Sequence, residues 1–335
     1  MTAVPQEAVW VRLPRFIGDA VMMGGALETL RLGGRPLVAW GPDPVAELFA
    51  GSNWFDAAVG DGPVKPGAAA MAKVLRVHRP AALVNFPRSA RGLAAGLLAR
   101  VPVRLGWSEA GGRWLCTSHL RFELPGHQGE RYRALLEKGF GGTHPTEARP
   151  FQPRAEAIQE ARRFRQEAGV GPAFAVVGLS AAAWIKRLGT RVWEDLVPMI
   201  RSAELHPVLL GGTFHEDRAQ AEDLRRRCPG LIDFCGRTSL AVSAAMVAEA
   251  RLVVANDSAL AHLGAACGTP TVTVFGPTDP SRTEPQGPAA RSIRREDLDC
   301  LGCLAFDCRR GDHACMQALP ADRIWAVCED LRRQT

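Results

Sequence analysis

The chain has 335 residues, 47% of them hydrophobic and 23% charged, which excludes a disordered or collagen-like protein and, at about 150 residues per domain, points to two domains. With 34 Gly and 24 Pro against one Tyr, short turns between many regular elements are favoured over an all-helical bundle. The net charge of +6 is uneven: residues 1–150 hold 18 Lys or Arg against 12 Asp or Glu, and residues 151–335 hold 23 of each.

In chain order, residues 8–13 form a short apolar run, 14–19 a loop, and 20–32 carry helical spacing. Segments at 36–40, 44–50 and 57–59 follow, then a helix near 68–77, a strand at 81–86 and a helix near 90–99. The stretch THPTEARPFQP at 143–153 is rich in proline and poor in apolar residues, so it reads as a linker. The second half restarts with a helix near 154–168. It continues with the strand 174–178, a helix near 191–203, the strand 207–210, a helix near 215–227 and the strand 231–234. A helix near 241–249, the strand 252–255, a helix at 258–267 and the strand 271–275 complete it. Strands alternate with helices throughout, which predicts an α/β protein of two tandem Rossmann-like, doubly wound domains, 1–150 and 151–335. Ligands of such sheets bind beyond the carboxyl ends of the strands, so chemistry is expected in the loops that follow them.

Several common sites are excluded. None of the four lysines is followed by Ser or Thr, so there is no Walker A loop, and no G-x-G-x-x-G opens a helix after either first strand. His215-Glu216 lacks the second His of a zincin, and Ser180 lacks the second Gly of a nucleophile elbow. No run of about 18 apolar residues is present, and the first residues lack a basic region followed by an apolar one, so a cytoplasmic chain is expected. Nucleic acid is disfavoured, because zinc-finger spacing and a basic helix are missing and there is one Tyr for stacking. The basic N-terminal half instead suggests an anionic partner.

Candidate site residues lie after the late strands. Asp257 or Ser258 can cap a helix, and Ser258 and His262 stand four apart on one face of it. The loop from Gly276 to Thr278 can offer amides and a hydroxyl to phosphate oxygens. The stretch NDSALAHLGAACGTPTVTVFGPTDPSR resembles the donor-binding signature of the glycosyltransferase family 9 heptosyltransferases, which build the inner core of lipopolysaccharide. RLPRFIGDAVMM resembles the start of the same family, especially its heptosyltransferase II branch, and GLSAAAWIKR its phosphate-binding Lys loop. Three departures stand out. The family's Asp-Ser/Thr-Gly is Asp257-Ser258-Ala259, its Thr-Pro after the first motif is Gly24-Gly25, and its Lys-Arg-Trp-Pro is Lys186-Arg187-Leu188-Gly189.

The resemblance implies a GT-B fold with acceptor on the N-terminal domain and donor on the C-terminal domain, facing a central cleft. It also implies an inverting transfer from an ADP-heptose that needs no cofactor for catalysis. Gly18-Asp19 then supplies the base, with an N-cap for the helix from Ala20 as the plainer role of Asp19. Lys186, with Arg187 beside it, faces the departing diphosphate. Asp257, Ser258, His262, Gly276 and Thr278 hold ribose and phosphate, and Glu216 and Thr238 are weaker candidates for nucleoside contacts. The implied partners are an ADP-sugar and an anionic, lipid-linked glycan. The enzyme would be a monomer in transient contact with the cytoplasmic face of the inner membrane, and Arg88, Arg91, Arg100 and Arg104 are the expected basic patch. A relative using another nucleotide sugar or acceptor, or a non-catalytic carbohydrate-binding protein of the same fold, are the competing readings. The pair Asp19 and Lys186 argues against the last of these, since a scaffold need not keep both.

Cys300, Cys303, Cys308 and Cys315 make C-x2-C-x4-C-x6-C. Four thiolates at that spacing could close around a structural zinc or an iron–sulfur cluster; reduced thiols or disulfides are the other readings.

Overall fold

The structure, a computed structural model, describes residues 4–142, 147–305 and 307–334. It divides into two compact units, Met1–Arg154 and Ala155–Thr335. Part of the expected linker, 143–146, lies outside the described residues.

The first unit is one parallel sheet of six strands: β1 (Val9–Arg12), β2 (Leu37–Gly41), β3 (Ala57–Gly60), β4 (Ala82–Asn85), β5 (Val103–Trp107) and β6 (Ser118–Leu120). Their spatial order is β3-β2-β1-β4-β5-β6, the doubly wound arrangement in which β1 and β4 lie side by side and the chain winds away from them in opposite directions. β1, β2 and β4 are buried along their whole length, which explains their near-continuous apolar sequence. On one face Trp10, Val38, Trp40 and Leu83 pack against Met71, Ala72 and Leu75, one stripe of the helix Ala68–His78. Trp10 and Trp40 meet edge to face with centroids 5.5 Å apart.

The expected helix 20–32 is two helices, Ile17–Met22 and Gly24–Leu32. The second starts on a glycine for a packing reason: a Cβ at Gly24 would sit 2.5 Å from Cη2 of Trp54, a ring stacked on Phe49 and tied by its N–H to the Arg149 carbonyl at 3.1 Å.

The second unit repeats the plan with β7 (Phe174–Gly178), β8 (His206–Leu210), β9 (Ile232–Asp233), β10 (Leu252–Asn256), β11 (Thr271–Val274) and β12 (Ala290–Ile293), ordered β12-β11-β10-β7-β8-β9. β7 and β10 are the neighbours at which the winding reverses, with Gly178 beside Ala255. The helix Thr190–Ser202 turns Val192, Trp193, Leu196, Val197 and Ile200 to this core, at the 3-4 spacing of one helical face. A C-terminal helix, Ala321–Gln334, contributes Ile324, Cys328 and Leu331 to the same core. Among the described residues no helix is long and apolar enough to cross a membrane.

Candidate active site

The reversal point of the second sheet gathers the loops that leave β7, β10 and β11. The loop after β7 carries a short 3-10 turn, Trp184–Lys186, at whose end the Lys186 ammonium lies 2.5 Å from Asp257 Oδ2. Asp257 is the first residue after β10 and is almost wholly buried. The Thr278 hydroxyl, from the loop after β11, donates to the same Asp257 oxygen at 2.8 Å. Three loops from three strands thus meet at one carboxylate. The Lys186 side chain keeps 19% of its surface exposed, so its charge remains within reach of an anion.

Ser258 follows at the N-cap of the helix Ala259–Cys267, but its side chain makes no capping bond, and its Oγ is buried without a hydrogen-bond partner among the described residues. A buried hydroxyl left unsatisfied costs about 1–3 kcal/mol, and this one stands where the helix amides already favour an anion. His262, one turn on, is 5% exposed, and its backbone N–H donates to the Ser258 carbonyl at 3.3 Å. At Gly276 a Cβ would lie 2.5 Å from Met316 Sδ and 3.1 Å from Cys315 Sγ, so the close approach of the helix Ala314–Gln317 is what requires glycine there.

Other candidates are placed differently from the sequence expectation. Arg187 does not stand beside Lys186 as a second open cation; its guanidinium pairs with Asp217 at 2.5 Å and reaches the carbonyls of Leu179 and Ala181. Glu216 is exposed in the first turn of the helix His215–Arg227, whereas Asp217 beside it is completely buried. Asp217 also accepts from Ser180 Oγ at 2.8 Å and from the Gly212 amide at 2.7 Å, so it ties the loops after β7 and β8 together. The Thr238 hydroxyl is paired with that of Ser243 at 2.8 Å, at the start of the helix Leu240–Glu249.

In the first unit, Gly18 and Asp19 follow β1, beside β4 at that sheet's own reversal point. The helix begins at Ile17, with Phe16 at the N-cap, so Asp19 sits in the first turn rather than capping a helix from Ala20. There the helix dipole favours its negative charge. Ionisation of the buried Tyr132 hydroxyl is pushed well above its ordinary range, first by burial and then by the charge of Asp19, which places the Asp19 carboxylate near the helix Gln128–Phe140.

Cys300, Cys303, Cys308 and Cys315 are free and partly exposed. Burial, and then the three other thiols, push Cys315 up to about 11. Among the described residues no group of three or more His, Cys, Asp or Glu side chains is arranged to hold a metal ion. The four expected arginines do not form one patch. Arg88 and Arg91 follow the carboxyl end of β4, with Arg88 over the Phe122 ring and Arg91 on the Pro66 carbonyl. Arg104 lies level with Leu83 near the start of β5, its guanidinium tied to the Leu115 and Val101 carbonyls. Arg100 lies with Arg79 and Ala81 at the opposite, amino end of β4, so the four are spread along the length of the sheet.

The family model for glycosyltransferase family 9 (heptosyltransferase) matches residues 89–313. The lipooligosaccharide heptosyltransferase 2 of Haemophilus influenzae is 25% identical over 258 residues, covering 72% of this chain and 73% of that protein. Its counterpart in Haemophilus ducreyi is 33% identical over 106 residues, but the chain spans less than a third of that relative, 30%, and 31% of this chain is covered. The structure of E. coli ADP-heptose lipopolysaccharide heptosyltransferase II superposes with a TM-score of 0.80 at 20% identity, over 98% of this chain and 99% of that one, so the fold is GT-B. The matched segment holds the loops that assemble around Asp257, and the chain belongs to glycosyltransferase family 9, the heptosyltransferases.

Proposed function

We propose that this chain transfers a heptose from ADP-heptose to the inner core of lipopolysaccharide, with inversion at the anomeric carbon. The observation that carries the reading is the grouping of the Lys186 ammonium, the Asp257 and Thr278 side chains and the unpartnered Ser258 hydroxyl at a helix N-terminus. A departing ADP gains negative charge on its terminal phosphate oxygen as the glycosidic bond breaks. Lys186 and the helix amides stabilise that charge, while Ser258 and Thr278 supply polar contacts to phosphate or ribose. The acceptor hydroxyl forms the new bond from the opposite face and passes its proton to Asp19, whose carboxylate is partly exposed on the first unit. No step needs a bound metal. The acceptor is an anionic lipid-linked glycan, met by the basic first unit at the cytoplasmic face of the inner membrane.

The test is a transfer assay on the purified full chain with ADP-heptose and a heptose-deficient lipopolysaccharide, following ADP release and a product heavier by one heptose. Asp19→Asn should lower turnover by about two to four orders of magnitude while ADP affinity stays within about twofold. Turnover within about tenfold of the unchanged enzyme would remove Asp19 from the base role. Transfer from a UDP- or GDP-sugar in place of ADP-heptose would favour another donor.

A further inference from the structure

The loop that carries Lys186, residues 179–188, has little regular structure of its own, one 3-10 turn, yet it must hold an ammonium in a fixed place. Both of its ends converge on a single side chain. Asn256 is the last residue of β10 and is fully buried. The register that sets Ala255 beside Gly178 makes Asn256 level with the first residue of the loop. Its Nδ2 donates to the Leu179 carbonyl at 2.9 Å and leans toward that of Ser180 at 3.5 Å. Its Oδ1 accepts from the Leu188 amide at 3.0 Å.

The entrance of the loop therefore offers acceptors and its exit a donor, and a side-chain amide satisfies both at once. An aspartate would turn an oxygen toward the carbonyls, and an apolar residue would take from the buried Leu188 amide its acceptor and leave the Leu179 carbonyl with the longer Arg187 contact alone. Within the loop, Arg187 adds a second and longer tie from exit to entrance, donating to the Leu179 and Ala181 carbonyls at 3.4 and 3.3 Å, and the remaining contacts hold single points. Gly189 N–H donates to the Met316 carbonyl at 2.9 Å, Gln220 donates to the Leu188 carbonyl at 2.8 Å, and the His313 ring meets the Ile185 carbonyl at 2.5 Å. Asn256 joins entrance to exit, and the next residue, Asp257, takes the charged tip. Two consecutive residues at the end of one strand thus take the neck of the loop and its charged tip.

We propose that Asn256 is a positioning residue of the donor site, acting on the nucleotide through Lys186 without touching it; this rests on the donor reading of Lys186 given above. The test uses the full chain with Asn256→Ala and Asn256→Asp, the latter keeping size and one acceptor should the alanine variant not fold. Hydrogen exchange read by mass spectrometry, without ligand, should show the amides of 180–188 exchanging at least about tenfold faster while peptides of the first unit are unchanged. ADP titration should show affinity falling about tenfold when Lys186 is present and less than about twofold in a Lys186→Ala background, because the two changes remove the same interaction. Unchanged exchange at 180–188 would overturn the clip. Equal losses of ADP affinity in both backgrounds would overturn the action through Lys186. An unchanged chain that fails to bind ADP would count against the donor reading itself, and the exchange measurement would still decide the role of Asn256 in the loop.

Discussion

Lys186 and Asp257 are coupled so closely that each sets what the other does to a bound nucleotide. Removing the ammonium leaves a nearly buried carboxylate facing the place proposed for a diphosphate. Lys186→Ala should therefore weaken ADP binding by about 10- to 100-fold, the usual size of a charge-assisted contact, and Lys186→Arg should restore part of it. Adding Asp257→Asn to Lys186→Ala should recover some affinity by removing the repulsion; isothermal titration with ADP measures all of these, and a further loss in the double variant would show that Asp257 contacts the nucleotide directly. Asp257, Ser258 and Thr278 were legible in the sequence because each follows a recognisable strand, and Lys186 through the family resemblance; the adjacency of β7, β10 and β11 brings their loops together. Asp217 was not legible. It and Glu216 are adjacent acids in one helical turn, and a rotation of about 100° per residue, invisible without the sheet beneath, buries one and exposes the other. Asn256 was not singled out either, since the expected strand stopped at Ala255 and Asn256 stood only as the first residue of the stretch NDSALAH.

At the level of elements, the strands buried along their whole length announced themselves, and so did the edge strands β3 and β9, but the opposite edges, β6 and β12, did not. β6 is the three residues Ser-His-Leu and β12 is Ala-Arg-Ser-Ile, both too short and too polar to stand out; β5, the helix Gln128–Phe140 and the C-terminal helix were also not anticipated. The break at Met23 is a case where packing overrides helical spacing, since Gly24 and Trp54 share one volume. Gly24 stands where the resembling family carries the Thr of its Thr-Pro pair, and here the Trp54 ring fills the space a side chain would take. Gly24→Ala should destabilise the chain by about 1–3 kcal/mol, seen as a fall of several degrees in the thermal midpoint. Gly24→Ala combined with Trp54→Phe, which removes the offending ring carbons, should lose less than the sum of the two single changes. Strict additivity would place the cause of the glycine elsewhere.

Across the whole molecule, two sheets of identical strand order differ in charge, and the excess of positive residues belongs to the first half of the chain. If that excess serves capture of an anionic lipid-linked acceptor, the full chain should sediment with vesicles containing phosphatidylglycerol at about 0.02 M salt and release by about 0.3 M, as screening shortens below 10 Å. Replacing the exposed Arg35, Arg79 and Arg88 by Glu should abolish binding more completely than the same change at Arg225, Arg251 and Arg309. Equal effects would separate the charge asymmetry from acceptor capture. The closure of the Lys186 loop has one more consequence, in the order of synthesis. Its ends wait for Asn256 and its exit for Met316, which leave the ribosome about 70 and about 130 residues after Lys186, or roughly 4–26 s at 5–20 residues per second. A nascent or prematurely ended chain therefore has no finished anion pocket, and nucleotide can help to fold this unit only after nearly all of it has been made.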